Sequence, residues 1–149
     1  GAAKRTHKMA DLFGAPIAIV DKVRTGHGTC EVAHVVGDVS GKTAILIDDM
    51  VDGGGSICGA IEAVKEFGAK KIIVGATHAF LNGEAVKRLK ESSADEIVFL
   101  DTVPIPKEKR FARMRVVSLA PLLAKIIRRI HTERSLGELF KWEEKRKIL

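Results

Sequence analysis

Thr43-Ala-Ile-Leu-Ile-Asp-Asp-Met-Val-Asp-Gly-Gly-Gly-Ser-Ile-Cys-Gly59 decides how this chain is read. Ala44 to Ile47 is a short apolar run, the pattern of a strand covered on both faces. Two carboxylates, Asp48 and Asp49, end the run, and Asp52 follows. Gly53, Gly54 and Gly55 then let the backbone approach a ligand closely. Ser56 is placed to cap a following helix or to donate its hydroxyl to a phosphate oxygen. The unpaired N–H groups and dipole of such a helix start favour an anion. Carboxylates do not suit phosphate, so Asp48 and Asp49 need another task. At a strand end they can accept hydrogen bonds from vicinal hydroxyls or hold a cation. A diol beside a phosphate describes a sugar phosphate. The plainer alternative is a strand–turn–helix connection with solvated acids at its mouth.

The remaining periodicity frames this stretch. Helices are expected at Ala2 to Phe13, Ser56 to Phe67 with Gly68 as C-cap, Asn82 to Ser92, and Ala120 to His131. Strands are expected at Pro16 to Asp21, Glu31 to Val36, Lys71 to Ala76, Glu96 to Asp101 and Met114 to Ser118. Such alternation predicts an α/β fold, a doubly wound and mainly parallel sheet, in a single domain over residues 1–149 whose last nine residues, 141–149, form a tail. A chain of 149 residues is long enough for one full core. With 46% hydrophobic and 30% charged residues it should fold rather than stay disordered. No apolar run nears the ~20 residues of a membrane span and no signal peptide is visible, so a cytoplasmic protein is expected. Cys30 and Cys58 match no zinc spacing, which fits reduced thiols.

A formal net charge of +6 raises the possibility of nucleic acid, but aromatics are only 5%, Tyr is absent and no stacking motif is present. The positive charge is better matched to a small, phosphate-rich substrate. Gly37-Asp-Val-Ser-Gly-Lys-Thr43 imitates a P-loop, yet it is one residue short between its glycines and leads into a strand instead of a helix. It reads as a turn. The five histidines show no metal-ligand spacing. His78 follows a strand at the edge where α/β ligands bind; it either lines a site or is a hydrogen-bonded structural residue. Lys22 and Arg24 lie where a strand enters a glycine-containing loop. Two cations there are able to close over a polyphosphate, although surface cations are commonly just solvated.

Ile47-Asp-Asp-Met-Val-Asp-Gly-Gly-Gly-Ser56 resembles the ribose-phosphate signature of the type I phosphoribosyltransferase fold, and more closely that of the ribose-phosphate pyrophosphokinases, typically Val-Asp-Asp-Met-Ile-Asp-Thr-Gly-Gly-Thr. Gly53 stands where that family has Thr, and Ser56 where it has a second Thr. Leu12 to Lys22, Val36 to Lys42, Gly75 to His78, Asp101 to Pro104, Ser118 to Ala124 and Arg129 to Phe140 resemble further pieces of the same family, in its order. The resemblance implies pyrophosphate transfer from Mg2+-ATP to ribose 5-phosphate, giving phosphoribosyl pyrophosphate and AMP. It implies Lys22 and Arg24 as the catalytic pair. It assigns Asp48, Asp49, Asp52, Gly53, Gly54, Gly55 and Ser56 to the substrate. Family chains are about twice as long, and the metal-binding His and Asp fall in their first half. The resemblance thus implies a C-terminal half whose N-terminal half would be a partner, and a homo-oligomer without nucleic acid or membrane. No metal ligand is assigned within this chain. The alternatives are an isolated sugar-phosphate-binding domain without activity, and a phosphoribosyltransferase acting on a base.

Overall fold

A computed structural model describes residues 2–22 and 33–140. The chain divides into two compact units, residues 1–15 with 118–149, and residues 16–117. The first unit holds α1 (Ala2–Phe13) and α4 (Ala120–His131), both with the bounds that periodicity predicts. Its Arg129 pairs with Glu138 at 2.8 Å and donates to the Ser135 carbonyl at 2.6 Å, which folds the segment after α4 back against that helix.

The second unit carries the sheet. Its strands are β1 (Ile19–Lys22), β2 (Ala33–Val36), β3 (Thr43–Val51), β4 (Lys71–Ala79), β5 (Glu96–Leu100) and β6 (Met114–Val117). The helices between them are α2 (Gly55–Glu66) and α3 (Ala85–Glu91). β3, β4, β5 and β6 form a parallel sheet in chain order. β1 and β2 form a separate antiparallel pair, with Ile19 opposite Val36. Residues 31 and 32, expected to begin β2, lie outside the described residues.

Alternation along the strands builds the core. Ile72, Val74 and Ala76 of β4 and Ile97 and Phe99 of β5 are buried on one face. They pack with Ile57, Ile61 and Val64 of α2 and Ala85 and Leu89 of α3. A crossover between neighbouring parallel strands is right-handed, so two successive crossovers in the same direction put both helices on one side. The cover expected on both faces of β3 is not found. Ile45 and Ile47 are 45% and 48% exposed, because they alternate with Ala44 and Leu46 and so lie on the face of β3 away from α2. β3 also runs on through both acids to Val51, well past the apolar run, because its pairing with β4 continues to Val51 opposite Ala79.

Two turns close the frame. Asp38 Oδ1 accepts the Ser40 N–H at 3.0 Å and Lys42 Nζ meets Asp38 Oδ2 at 2.6 Å, so the P-loop imitation is a turn feeding β3. The Lys42 hydrogen bond, followed by that from Ser40, holds the Asp38 carboxyl below its ordinary pKa. After α2, Gly68 takes φ +86, the left-handed conformation that ends helices, as its sequence position predicts. At the end of α3, the Arg113 guanidinium donates to the carbonyls of Leu89, Lys90, Ser92 and Ala94. This cation serves two carbonyls of the last helical turn, Leu89 and Lys90, and two of the loop beyond it.

Phe99 is fully buried between β4, β6 and the helices. Truncating it to Ala should cost about 3–5 kcal/mol, the range for losing a buried aromatic ring without full collapse of the cavity. Urea unfolding of both proteins checks this; a change below about 1 kcal/mol would mean that the ring is not central to the core.

Candidate functional site

The parallel register sets β3 and β4 so that Asp48 lies opposite Ala76 and Met50 opposite His78. The connections leaving the two strands therefore emerge together at the carboxyl edge of the sheet, the edge where open α/β sheets bind ligands. A cleft of about 200 Å³ opens there, lined by Asp48, Met50 to Ile57 and the glycine loop between them. Asp48, Asp52, Gly53, Gly54, Gly55 and Ser56 are thus brought together. Asp49 is not among the lining residues; it follows Asp48 in an extended strand, where successive side chains alternate between faces. Asp48 Oδ1 accepts the N–H of Asp49 at 2.8 Å, which leaves the other carboxylate oxygen for a ligand hydroxyl or cation.

Gly54, not Ser56, is the N-cap of α2. It has φ +76, no side chain caps the helix, and Ser56 sits at the second helical position. Only a residue without a Cβ fits here, since an added Cβ would stand 3.3 Å from Ala85 Cα in a left-handed backbone. The helix ladder is entered by the bond from the Cys58 N–H to the Gly54 carbonyl at 3.0 Å, which sets the glycine loop at the positive start of the helix dipole. An uncapped helix start of this kind suits an anion.

The neighbouring β4–α3 connection and α3 itself supply residues that sequence reading passed over. Asn82 donates its backbone N–H to the Asp52 carbonyl at 3.1 Å and its Nδ2 to Asp52 Oδ1 at 2.6 Å. Arg88 Nη1 donates to the Gly53 carbonyl at 2.8 Å. These partners lie 30 and 35 residues downstream, beyond any local motif. The available signal was topological, because consecutive βα connections of a parallel sheet are neighbours at its carboxyl edge.

His78 serves the end of β4. Its Nδ1 is 2.9 Å from Thr102 Oγ1, and that hydroxyl donates to the Thr77 carbonyl at 2.7 Å. With the hydroxyl proton so committed, His78 Nδ1 is the donor of the pair. The ring also stacks obliquely near Phe80, with centroids 6.4 Å apart. His78 is therefore hydrogen-bonded in the manner of a structural histidine beside the cleft. Lys22 ends β1, opposite Ala33, while its side chain, all of Arg24 and the 141–149 tail lie outside the described residues. No group of three or more His, Cys, Asp or Glu side chains gathers into a metal cage among the described residues. No helix among them is long and apolar enough to cross a membrane.

Comparison with known proteins agrees with this geometry. Residues 27–141 match the family described as phosphoribosyl synthetase-associated domain. The chain is 45% identical over 143 residues to a ribose-phosphate pyrophosphokinase of Clostridium acetobutylicum, covering 96% of this chain and 45% of the relative. It is 43% identical over 140 residues to the Bacillus subtilis protein of the same name, covering 94% of this chain and 44% of that one. The chain thus spans a little under half the length of these relatives. Among solved structures, the phosphoribosylpyrophosphate synthetase from Mycobacterium smegmatis superposes with a TM-score of 0.79 at 44% identity, covering 87% of this chain and 42% of that one. The α/β architecture is accordingly of the type I phosphoribosyltransferase kind, and the chain belongs to the phosphoribosyl synthetase-associated domain family.

Proposed function

We propose that this chain is the ribose 5-phosphate-binding half of a ribose-phosphate diphosphokinase, with residues 1–149 acting as one phosphoribosyltransferase-type domain. The observation that carries the reading is the glycine loop. Gly54 is a left-handed N-cap at the carboxyl edge of a parallel sheet and opens an uncapped helix into the cleft that Asp48 lines. In this reading Gly53 to Ser56 hold the 5-phosphate by backbone amides and the Ser56 hydroxyl. Asp48 and Asp49 take the ribose side, and Asp52 braces the loop. The 1-hydroxyl of the sugar attacks the β-phosphorus of ATP. A bond forms from that oxygen to the β-phosphorus, the bond from the β-phosphorus to the α–β bridging oxygen breaks, AMP departs and the hydroxyl proton is released. Lys22 and Arg24 neutralise the charge on the transferring group.

The donor set fits Mg2+ carried in by a polyphosphate, an ion that uses one or two carboxylates plus phosphate oxygens instead of an all-protein cage. Asp48, which lines the cleft, is the carboxylate of this chain that would reach it. When bound, it would draw charge from the phosphate oxygens and hold the triphosphate in line. The partners in this reading are ATP, ribose 5-phosphate and the other half of a full-length chain, within a cytoplasmic homo-oligomer.

Three outcomes follow. Gly54→Val should raise the Kd for ribose 5-phosphate at least tenfold, because branches at Gly54 meet Ala85 and disturb the amides of the loop. Titration calorimetry beside thermal melts measures this, and unchanged affinity in a folded variant would remove the loop from the phosphate site. Lys22→Ala in a full-length form should leave ribose 5-phosphate affinity nearly intact and lower kcat on the order of 10²-fold. A normal kcat would take Lys22 off the catalytic list. The 149-residue chain alone, given Mg-ATP and ribose 5-phosphate, should bind the sugar phosphate and release no AMP. AMP release that tracks the pure chain would overturn the proposed division of labour, while turnover with phosphoribosyl pyrophosphate and a base would favour a base-specific transferase.

A further inference from the structure

The glycine loop does not hold its own shape. Gly53, Gly54 and Gly55 are the least restrained residue type in succession, and three such residues lose more conformational freedom on ordering than any other triplet. The shape is supplied from the β4–α3 connection. Leu81 there is a non-glycine residue at φ 52, held in that uncommon region by a side chain only 2% exposed. Lys109 Nζ fixes its carbonyl at 3.0 Å. The Phe80 and Leu81 N–H groups both donate to the Val51 carbonyl, at 3.0 and 3.2 Å. The turn at Leu81 then presents Asn82 to Asp52, Ala85 to Gly54 and Arg88 to Gly53. Val51, Asp52 and Gly53 are therefore each hydrogen-bonded by a residue of the β4–α3 connection or of α3, and Gly54 lies against Ala85.

We propose that the segment Leu81–Arg88, the β4–α3 connection with the first turn of α3, is a clasp that preorganises the glycine loop, and that Arg88 is its positioning residue. The Arg88 hydrogen bond aims the Gly53 carbonyl at α3. In a trans peptide the N–H lies opposite the C=O, so the same bond turns the Gly54 N–H away from α3. The guanidinium also lies 3.6 Å from where a Gly55 Cβ would stand and 4.0 Å from a Gly53 Cβ. Arg88 thus fixes the peptide plane that an anion at the loop would meet, and acts through Gly53 without contacting the ligand.

This inference rests on the ribose 5-phosphate reading for its ligand but not for its mechanics. Affinity for ribose 5-phosphate and amide hydrogen exchange over residues 50–57 would be measured on the wild-type chain, Arg88→Ala, Arg88→Lys, Gly53→Ala and the Arg88→Ala/Gly53→Ala double variant. Gly53 has no positive φ, and its added Cβ has only Arg88 within 4.0 Å, so Ala fits there and stiffens the loop. Arg88→Ala should weaken binding about tenfold and speed exchange in the loop, and adding Gly53→Ala should restore threefold or more of the lost affinity. A residue that instead contacts the phosphate by charge would leave Arg88→Lys near wild type and Gly53→Ala without rescue; that pair of results overturns the clasp. So does an Arg88→Ala variant with wild-type affinity and exchange. If the wild-type chain fails to bind ribose 5-phosphate, the functional reading falls alone, and faster loop exchange in Arg88→Ala still decides the clasp.

Discussion

The parallel register of β3 on β4 is the constraint on which the rest of the structure depends. Eight backbone pairings, from Thr43 opposite Lys71 to Val51 opposite Ala79, bring the two strand ends level. A slip of β3 by one residue would turn Leu46 away from α2 and move Asp48 to the other face. It would also separate Asp52 from Asn82, whose contact is made just beyond the last paired residues. Hydrophobic burial sets this register: Ile72 and Val74 are almost fully buried. The chemistry of the cleft is thus placed by side chains that never reach it.

The cleft combines charges that would oppose each other in the absence of structure. Asp48 and Asp52 line a loop whose amides suit an anion. Their carboxylates are partly occupied, one by the Asp49 N–H and the other by the Asn82 amide, which limits the repulsion they present. Arg88 brings the opposite sign to the same loop. In the proposed reading, a ligand carrying both a phosphate and hydroxyls would meet a donor-rich end and an acceptor end a few residues apart, and that asymmetry would orient it.

Much of this was legible in the sequence because its causes are local. The bounds of α1 and α4 follow from 3.6-residue periodicity, and Gly68 marks the end of α2 because a left-handed residue is needed there. The glycine loop was legible as a close-approach site from Gly53 to Gly55 alone. What failed to show was non-local. The exposure of Ile45 and Ile47 depends on which face of β3 is covered, and an apolar run looks the same whether one face or both are covered. Ser56 was read as a cap because its residue type favours one, yet the close packing of Gly54 on Ala85 puts the cap two residues earlier. The N-terminal end of α3 falls three residues later than periodicity implies, because Asn82 is drawn into contact with Asp52. Arg88 and Asn82 carry no sequence signal of their own as partners of the loop.

The strand order of the parallel sheet has a consequence for how the protein comes into being on the ribosome. β3, β4, β5 and β6 lie in space in the order in which they are made, so each strand finds its neighbour already present and no later strand must insert between two earlier ones. Contacts of short sequence separation close quickly and leave unpaired edges exposed only briefly. The glycine loop is synthesised early but acquires its shape late, since Gly53 waits 35 residues for Arg88, and α3 is pinned only when Arg113 arrives to cap it. A nascent chain therefore holds β3, α2 and β4 before it holds the residue that fixes the glycine loop.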